Sequence, residues 1–367
     1  MPIYMDVHIV PGVRARDVAE AHRLDLIHQH EHHCKCMTYW IDEERENIFC
    51  LIEAPDKKAV ENMHRDAHGL IPHKIIEVDG SLVESFLGRI YDPEDAVITD
   101  DGLKVFKDSS FRVLLVVKTM DPVLLKLRLG PDEAGKILKQ FNEMVRTNIQ
   151  AHKGREAEHR GTGFISSFAT AKNAVACALA IQSAFMSAGN PVPGLRMGLN
   201  GGEPVEKKDH LFGDTIQQAC YLCSVARDGQ IIMSSAVKEL IHKEYFVNQE
   251  DNLYSLAPQE EKLLEQLFNK LEENWQDPEF DMAEYCQTMA MSKSQLYRKA
   301  VSLTGISPNL FLKDFRLDKA KDLMKKKHFS ISQITFDTGF TSPSYFTKCF
   351  KKKYGILPLT YMNAAHA

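Results

Sequence analysis

Residues 330–352, SISQITFDTGFTSPSYFTKCFKK, decide how the last third of the chain folds. Ile331, Ile334, Phe340, Phe346 and Phe350 recur at helical spacing and supply an apolar core, Gly339 permits a tight turn, and Ser342 opens a second helix. That helix turns Ser344, Thr347 and Lys348 outward, with Lys351 and Lys352 one turn further on. The pattern has an echo upstream. In residues 281–303, DMAEYCQTMAMSKSQLYRKAVSL, a short helix breaks at Met291, and a second helix, capped by Ser292, buries Leu296 and exposes Lys293, Ser294, Tyr297 and Arg298. Such a pair is a helix-turn-helix unit. Its second helix sets polar side chains against base edges in the major groove while flanking Lys and Arg hold phosphates. Two units imply two grooves of double-stranded DNA, and from about Leu263 onward no strand pattern interrupts the helical one.

Charge agrees with a polyanionic partner. The 367 residues carry 45 Lys+Arg and 50 Asp+Glu, a formal net charge of −5. Residues 262–367 hold 16 basic against 11 acidic side chains, which leaves 29 against 39 upstream, and between Lys293 and Lys353 the balance is 14 to 4. An acidic body with a basic C-terminal module suits nucleic acid, although charge alone describes a solvated lysine face equally well. With 44% hydrophobic and 26% charged residues and a mean hydropathy of −0.28, the chain has the composition of two or three globular domains, which excludes disorder and collagen. No apolar run approaches the roughly 20 residues that span a bilayer, and MPIYMDVHIVPG lacks a basic region leading into an apolar one. A cytoplasmic protein with no membrane partner is expected. Its eight scattered cysteines fit reduced thiols rather than a disulfide framework.

Upstream, residues 1–79 read as strand (Ile3 to Val10), helix (Ala15 to Gln29), strand (Cys34 to Ile41), strand (Ile48 to Glu53), helix (Pro55 to Ala67) and strand (Lys74 to Val78). The order β-α-β-β-α-β is the ferredoxin-like plan. Residues 80–110 mix Gly, Asp, Pro and Ser with weak periodicity and are predicted to be a linker. An α/β unit follows over 111–258, with the strands RVLLVVK, FISSFAT, LRMGLNGG and QIIMSS and helices over 131–152, 171–189 and 214–226. The helical domain then occupies 259–367. Cys220 and Cys223 share a helix face and are expected to pack as small apolar residues, and GLNGGE is a strand end and turn rather than a phosphate loop.

The helical units resemble the DNA-binding domain of AraC/XylS transcription regulators. The likeness rests on MSKSQLYRK, Gly305 and Ser307, Arg316-Leu317 with Ala320, ISQI, Gly339-Phe340, SYFTKCFKK, and Tyr354-Gly355 with Pro358 and Tyr361. Departures are small: Thr335 stands where that family often has Ala, and Lys348 where Arg is common. Residues 111–240 resemble the class III nucleotidyl cyclase catalytic domain through RVLLVV, GTGFISSFATAKNAVACALAIQ, LRMGLNGGEP and FGDTIQQACYLCSVARDGQIIMSS. This implies a second ferredoxin-like core and, as in that family, pairing of two chains, which the open face of a ferredoxin-like sheet would also favour. The chemistry does not carry over. Lys118 or Thr119 and Thr162 replace the two metal-holding aspartates, Glu158 replaces a base-reading lysine, and Gln217 and Tyr221 replace the Asn and Arg that support the transition state. Without those groups, neither metal ions nor developing charge has a partner, so a catalytically dead cyclase fold is expected.

The first module is chemically distinct, holding nine of the fifteen histidines before residue 74. It resembles a small ferredoxin-like family known for binding nickel, through His8 in MDVHIV, Ala21-His22 with Asp25, Tyr39-Trp40, FCLIEAPD with Cys50, and HRDAHG with His64 and His68. His64 and His68 are four apart on a helix, so their imidazoles share a face at about 6 Å between Cβ atoms and can hold one ion. The resemblance adds His8, His22 and Cys50 as metal ligands. Imidazole with thiolate or carboxylate suits Ni, Zn, Co or Cu. Cys50 also reads as core, HQHEHHCKC as a second, looser site or a solvated loop, and Cys34 with Cys36 as a binding or a packing pair.

The expected fold class is therefore multidomain α+β: two ferredoxin-like α/β sandwich modules followed by an all-α double helix-turn-helix domain. The expected function is a one-component transcription regulator, working as a homodimer on double-stranded DNA with RNA polymerase as a further partner, and responding to a transition metal or small ligand. The alternatives are a nucleotidyl cyclase with a regulatory helical tail and a metal-storage protein.

Overall fold

The computed structural model describes residues 1–160, 163–187, 194–241, 252–326 and 328–366. The first module contains β1 (Ile3–Ile9), α1 (Ala15–His28), β2 (Lys35–Asp42), β3 (Asn47–Glu53), α2 (Lys57–Ala67) and β4 (Lys74–Val78), with sheet order β2-β3-β1-β4. The succession β-α-β-β-α-β along the chain is the one read from the sequence. Helix α2 starts two residues later than Pro55, because the Asp56 carboxylate caps it by accepting from the Ala59 amide at 2.8 Å. Tyr4, Tyr39, Ile41 and Ile52 of the sheet pack with Val18, Ala19, Val60 and Met63 of the two helices. The alternate residues Met5, Val7, Trp40, Phe49 and Leu51 face the other way.

That second face is not open, contrary to what the case for sheet pairing requires. It is covered by α3 (Gly80–Leu87), through Val83, Phe86 and Leu87, and by Leu114, Val205, Leu211 and Phe212 of the second module. The segment predicted to be a linker is thus folded. Besides α3 it holds the hairpin β5 (Val97–Ile98) and β6 (Lys104–Val105), and Leu103 and Phe106 join the helix-side core, Phe106 stacking on Tyr39 at 4.1 Å. Its order comes from burial rather than from local propensity, so weak periodicity did not reveal it.

The second module contains β7 (Arg112–Lys118), α4 (Pro122–Leu129), α5 (Pro131–Ala151), β8 (Arg155–Arg160), β9 (Gly163–Phe168), α6 (Ala171–Ser187), β10 (Arg196–Gly202), α7 (Gly213–Val225), β11 (Ile231–Met233), α8 (Ser235–Leu240) and β12 (Leu253–Ser255), with sheet order β12-β11-β10-β7-β9-β8. Val113, Leu115 and Val117 face α5 and α6, whereas Val116 meets Ala219 and Cys223 of α7. Cys220 and Cys223 pack there as expected, and the eight cysteines form no disulfide. Thr162 lies outside the described residues.

Helices α9 (Pro258–Asn274), α10 (Met282–Thr288), α11 (Lys293–Thr304), α12 (Pro308–Met324), α13 (Ile331–Asp337), α14 (Pro343–Tyr354) and α15 (Pro358–His366) complete the chain. Two of their contacts with the second module involve buried aromatic side chains. On α7, the Tyr221 ring stacks on Phe268 of α9 at 4.1 Å and its hydroxyl donates to Asn269 at 3.2 Å. Beside α4, the buried Tyr361 hydroxyl of α15 donates to Asp121 at 3.0 Å, with Lys325 and Lys321 at 3.5 and 3.7 Å from the same carboxylate. Asp121→Ala should destabilise the protein by about 1 to 3 kcal/mol, since it strands a buried hydroxyl. Denaturant unfolding that matches wild type would remove Asp121 from this role.

Candidate metal centre and recognition helices

In β1, Asp6 and His8 are two apart and share the helix-side face, and the β1/β3 register sets Cys50 opposite Asp6. Helix α2 brings His64 and His68 over this face, and α1 brings Asp25. His64 is fully buried and sits between two carboxylates. Its Nε2 lies 2.9 Å from Asp6 Oδ2 and its Nδ1 lies 3.0 Å from Asp25 Oδ1. His68 Nε2 is 3.1 Å from the same Asp25 oxygen, and His8 Nε2 is 3.4 Å from Asp6 Oδ1. Two overlapping donor sets result, Asp6/His8/Cys50/His64 and Asp25/His64/His68, each with its donor atoms within 4.8 Å of one another.

Electrostatics follow from this arrangement. Burial alone would lower the His64 pKa, but the Asp6 and Asp25 carboxylates outweigh it and hold the ring protonated well above the ordinary histidine range. Burial would likewise raise Asp6, and the His8 and His64 rings reverse this, holding its carboxyl far below the usual range. The Cys50 thiol is pushed well up by burial and by the neighbouring Asp6 charge. A cation entering the cluster would take the proton's place between the carboxylates and lower the thiol in turn. The donor chemistry fits such an ion: ligand bonds of about 2.0 to 2.3 Å place tetrahedral donors roughly 3.3 to 3.7 Å apart, so the sets need close only slightly.

Of the five ligands expected, the structure brings His8, Cys50, His64 and His68 together. His22 is elsewhere, with its Nε2 3.6 Å from Asp92 and its ring against Tyr39, on the side of α1 turned toward the 80–110 segment. The HQHEHHCKC stretch runs from the end of α1 through a 3-10 turn, Gln29–His32, into β2; His32 meets Asp66 at 2.9 Å, and Cys34 and Cys36 join the apolar core. Asp6 and Asp25 join the cluster in addition to the expected ligands. A carboxylate buried two residues before a histidine in an otherwise apolar strand was the available signal.

In the helical domain, Ser292 caps α11 by accepting from the Gln295 amide, and Ser342 caps α14 by accepting from that of Tyr345. Leu296, Phe346 and Phe350 are buried. Lys293, Ser294, Tyr297 and Arg298 are exposed on α11, as are Ser344, Lys348, Lys351 and Lys352 on α14, with Thr347 half-buried. Tyr345, absent from the sequence reading, is 53% exposed beside them. Gly339 has φ +72°, and a Cβ there would lie 2.5 Å from the Trp275 carbonyl oxygen, so the second turn requires glycine.

Comparison with known proteins follows this division. Residues 285–364 match the helix-turn-helix domain family, and residues 4–78 match the family described as nickel responsive protein SCO4226-like. The putative adenylate cyclase 3 of Rhizobium meliloti is 28% identical over 144 residues, 37% of this chain and 24% of that protein. The HTH-type transcriptional regulator MtrA of Neisseria gonorrhoeae is 31% identical over 99 residues, 27% of this chain and 31% of that protein. The crystal structure of SCO4226 from Streptomyces coelicolor is 31% identical, covers 21% of this chain and 94% of its own, and has a TM-score of 0.20. The chain thus spans between about a quarter and a third of the length of these two curated relatives. The chain carries an SCO4226-like match over residues 4–78 and a helix-turn-helix match over residues 285–364, and it is similar over 144 residues to an adenylate cyclase.

Proposed function

We propose that the chain is a one-component transcription regulator in which residues 1–79 bind a transition metal, 111–258 transmit its presence and 259–367 bind double-stranded DNA. The observation that carries this reading is the pair of capped, outward-facing helices α11 and α14 in a domain joined by direct contacts to a module with a ready donor cluster. Asp6, His8, Cys50 and His64, with Asp25 and His68 adjoining, would hold the ion, and nickel is the ion that the SCO4226-like description favours. Lys293, Ser294, Tyr297, Arg298, Ser344, Thr347, Lys348, Lys351 and Lys352 would face the grooves and phosphates.

Lys74 supports the coupling. It follows the metal-cluster strand in register, and its ammonium donates to the carbonyls of Glu206, Lys207 and Lys208, the loop that leads into α7 and so toward α9. The cyclase-like module acts as a transmitter in this reading, not as an enzyme. Gln217 donates to the Tyr221 hydroxyl at 2.5 Å, so the two residues standing where cyclases keep Asn and Arg are committed to the joint with α9. We also propose that the protein works as a cytoplasmic homodimer that contacts RNA polymerase, its dimer interface lying outside the covered face of the first sheet.

The test is metal analysis of full-length protein purified without a histidine tag, followed by titration of nickel, zinc, cobalt and copper with DNA affinity as readout. About one ion per chain is expected, with a coupling of about 1 to 3 kcal/mol between ion and DNA. A His64→Ala/His68→Ala double variant that binds metal as tightly as wild type would refute the ligands, metal binding that never moves DNA affinity would refute the sensor role, and cyclic nucleotide formed from ATP or GTP with manganese would favour the enzyme.

A further inference from the structure

The two recognition helices are alike in packing and unlike in what they present. Helix α11 exposes Lys293, Ser294, Gln295, Tyr297, Arg298 and Lys299. The Gln295 amide is already committed, since its oxygen accepts from the Ser292 backbone N–H at 3.0 Å to close the capping box. Arg298 is exposed, and its guanidinium makes no hydrogen bond or ion pair among the described residues. Helix α14, PSYFTKCFKKKY, contains no Arg, Asn, Gln, Asp or Glu. Its exposed groups are the Ser344 hydroxyl, the Tyr345 ring and the ammonium groups of Lys348, Lys351 and Lys352. Lys353 is withdrawn from the surface contact, bonded to the Asp314 carbonyl at 2.9 Å and to the Asp318 carboxylate at 3.0 Å.

These inventories differ in what they can discriminate. A guanidinium presents a rigid, planar fork that matches the two major-groove acceptors of guanine, and carboxamides do the same for adenine. An ammonium is a point charge that accepts many acceptor geometries, so it anchors well and discriminates less. Hydroxyls bond to several bases, and an aromatic ring at most meets a thymine methyl.

We infer that the operator is read unequally: α11 fixes a guanine through Arg298, whereas α14 holds phosphates through Lys348, Lys351 and Lys352 and adds only a loose base preference through Ser344 and Tyr345. This rests on the DNA-binding reading above. It makes Arg298 the specificity-determining residue of the domain and makes the α14 half of the site tolerant of sequence.

Selection of full-length protein against a pool of random duplexes tests it, with Arg298→Ala, Arg298→Lys and Lys348→Ala as variants. Wild type should select sites with one invariant guanine in one half and a degenerate other half. Arg298→Ala should lose that guanine and lower the preference for selected over random duplex by roughly tenfold. Arg298→Lys, which keeps the charge and the fold, should keep the salt dependence while blurring the guanine. Lys348→Ala should weaken selected and random duplex by the same factor and reduce the salt slope by about one ion. Equally sharp halves, or an invariant guanine that survives Arg298→Ala, would overturn the inference. No salt-dependent retention of any duplex by wild type would overturn both it and the reading beneath it.

Discussion

Metal-free protein carrying His64→Ala will be less stable than wild type by about 3 to 5 kcal/mol, the range for removing one partner from a buried charge pair. His64 is the cation between Asp6 and Asp25, which are 0% and 3% exposed, and it bridges them through both ring nitrogens. Alanine leaves the two carboxylates with His8, His68 and the Cys50 backbone N–H near them, and a cavity of imidazole size as well. The pH dependence has a defined sign. The native His64 pKa is raised, so its contribution is complete below its unfolded value of about 6.5 and is lost as pH climbs through the native value. Asp6 and Asp25 are lowered, so theirs is present above about 3.9 and is lost as the solution is acidified through their native values. Denaturant unfolding in chelator at neutral pH is the measurement. A loss under about 1 kcal/mol would mean that His64 does not carry the bridging charge.

Gly198→Ala will cost about 3 kcal/mol, at the upper end of overpacking penalties, although it adds a single methyl group. Gly198 lies in β10, hydrogen-bonded on one side to β7 and on the other to β11. A Cβ there would collide with the Ala219 carbonyl oxygen and lie 2.5 Å from the Cys223 amide nitrogen, both of them backbone atoms of α7. Neither side can yield easily. The strand is pinned between its neighbours, and α7 would have to lift off the sheet while still holding Phe268 and Asn269 of α9 through Tyr221. Weaker attachment of the helical domain should accompany the loss of stability, seen as protease cleavage near residue 258 at lower enzyme concentration. An unfolding midpoint equal to wild type would show that α7 and β10 are less closely apposed than this.

The sequence made much of this architecture legible, and the reasons are local. The four strands and two helices of the first module follow from short β-branched and aromatic runs and from apolar residues at helical spacing. The recognition helices follow from Ser292, Ser342 and Gly339, each of which imposes one backbone geometry. What escaped depends on contacts distant in sequence. Strand β8, REAEHR, is a charged edge strand with no apolar face to betray it, and α3 owes its order to Phe86 and Leu87 lying under Trp40 and Phe49. The covered face of the first sheet did leave a trace, because IFCLI is apolar on both sides, the mark of a strand buried twice. Within the candidate site, helical spacing was enough for His64 and His68. Asp25 needed the fold, since a lone acidic residue on a helix acquires meaning only from the histidine that three-dimensional folding places against it.

The doubly buried first sheet limits how this protein can be taken apart. Excised at residue 79, the metal-cluster module would keep its donors and lose the cover over Met5, Val7, Trp40, Phe49, Leu51 and Ile76. That would bare one contiguous apolar patch of the kind that drives association. As a cassette for grafting onto other readers it is therefore incomplete. A transplant would have to carry α3 with it and supply a new apolar lid in place of Leu114, Val205 and Phe212, so the first module and its cover fold as one packing unit.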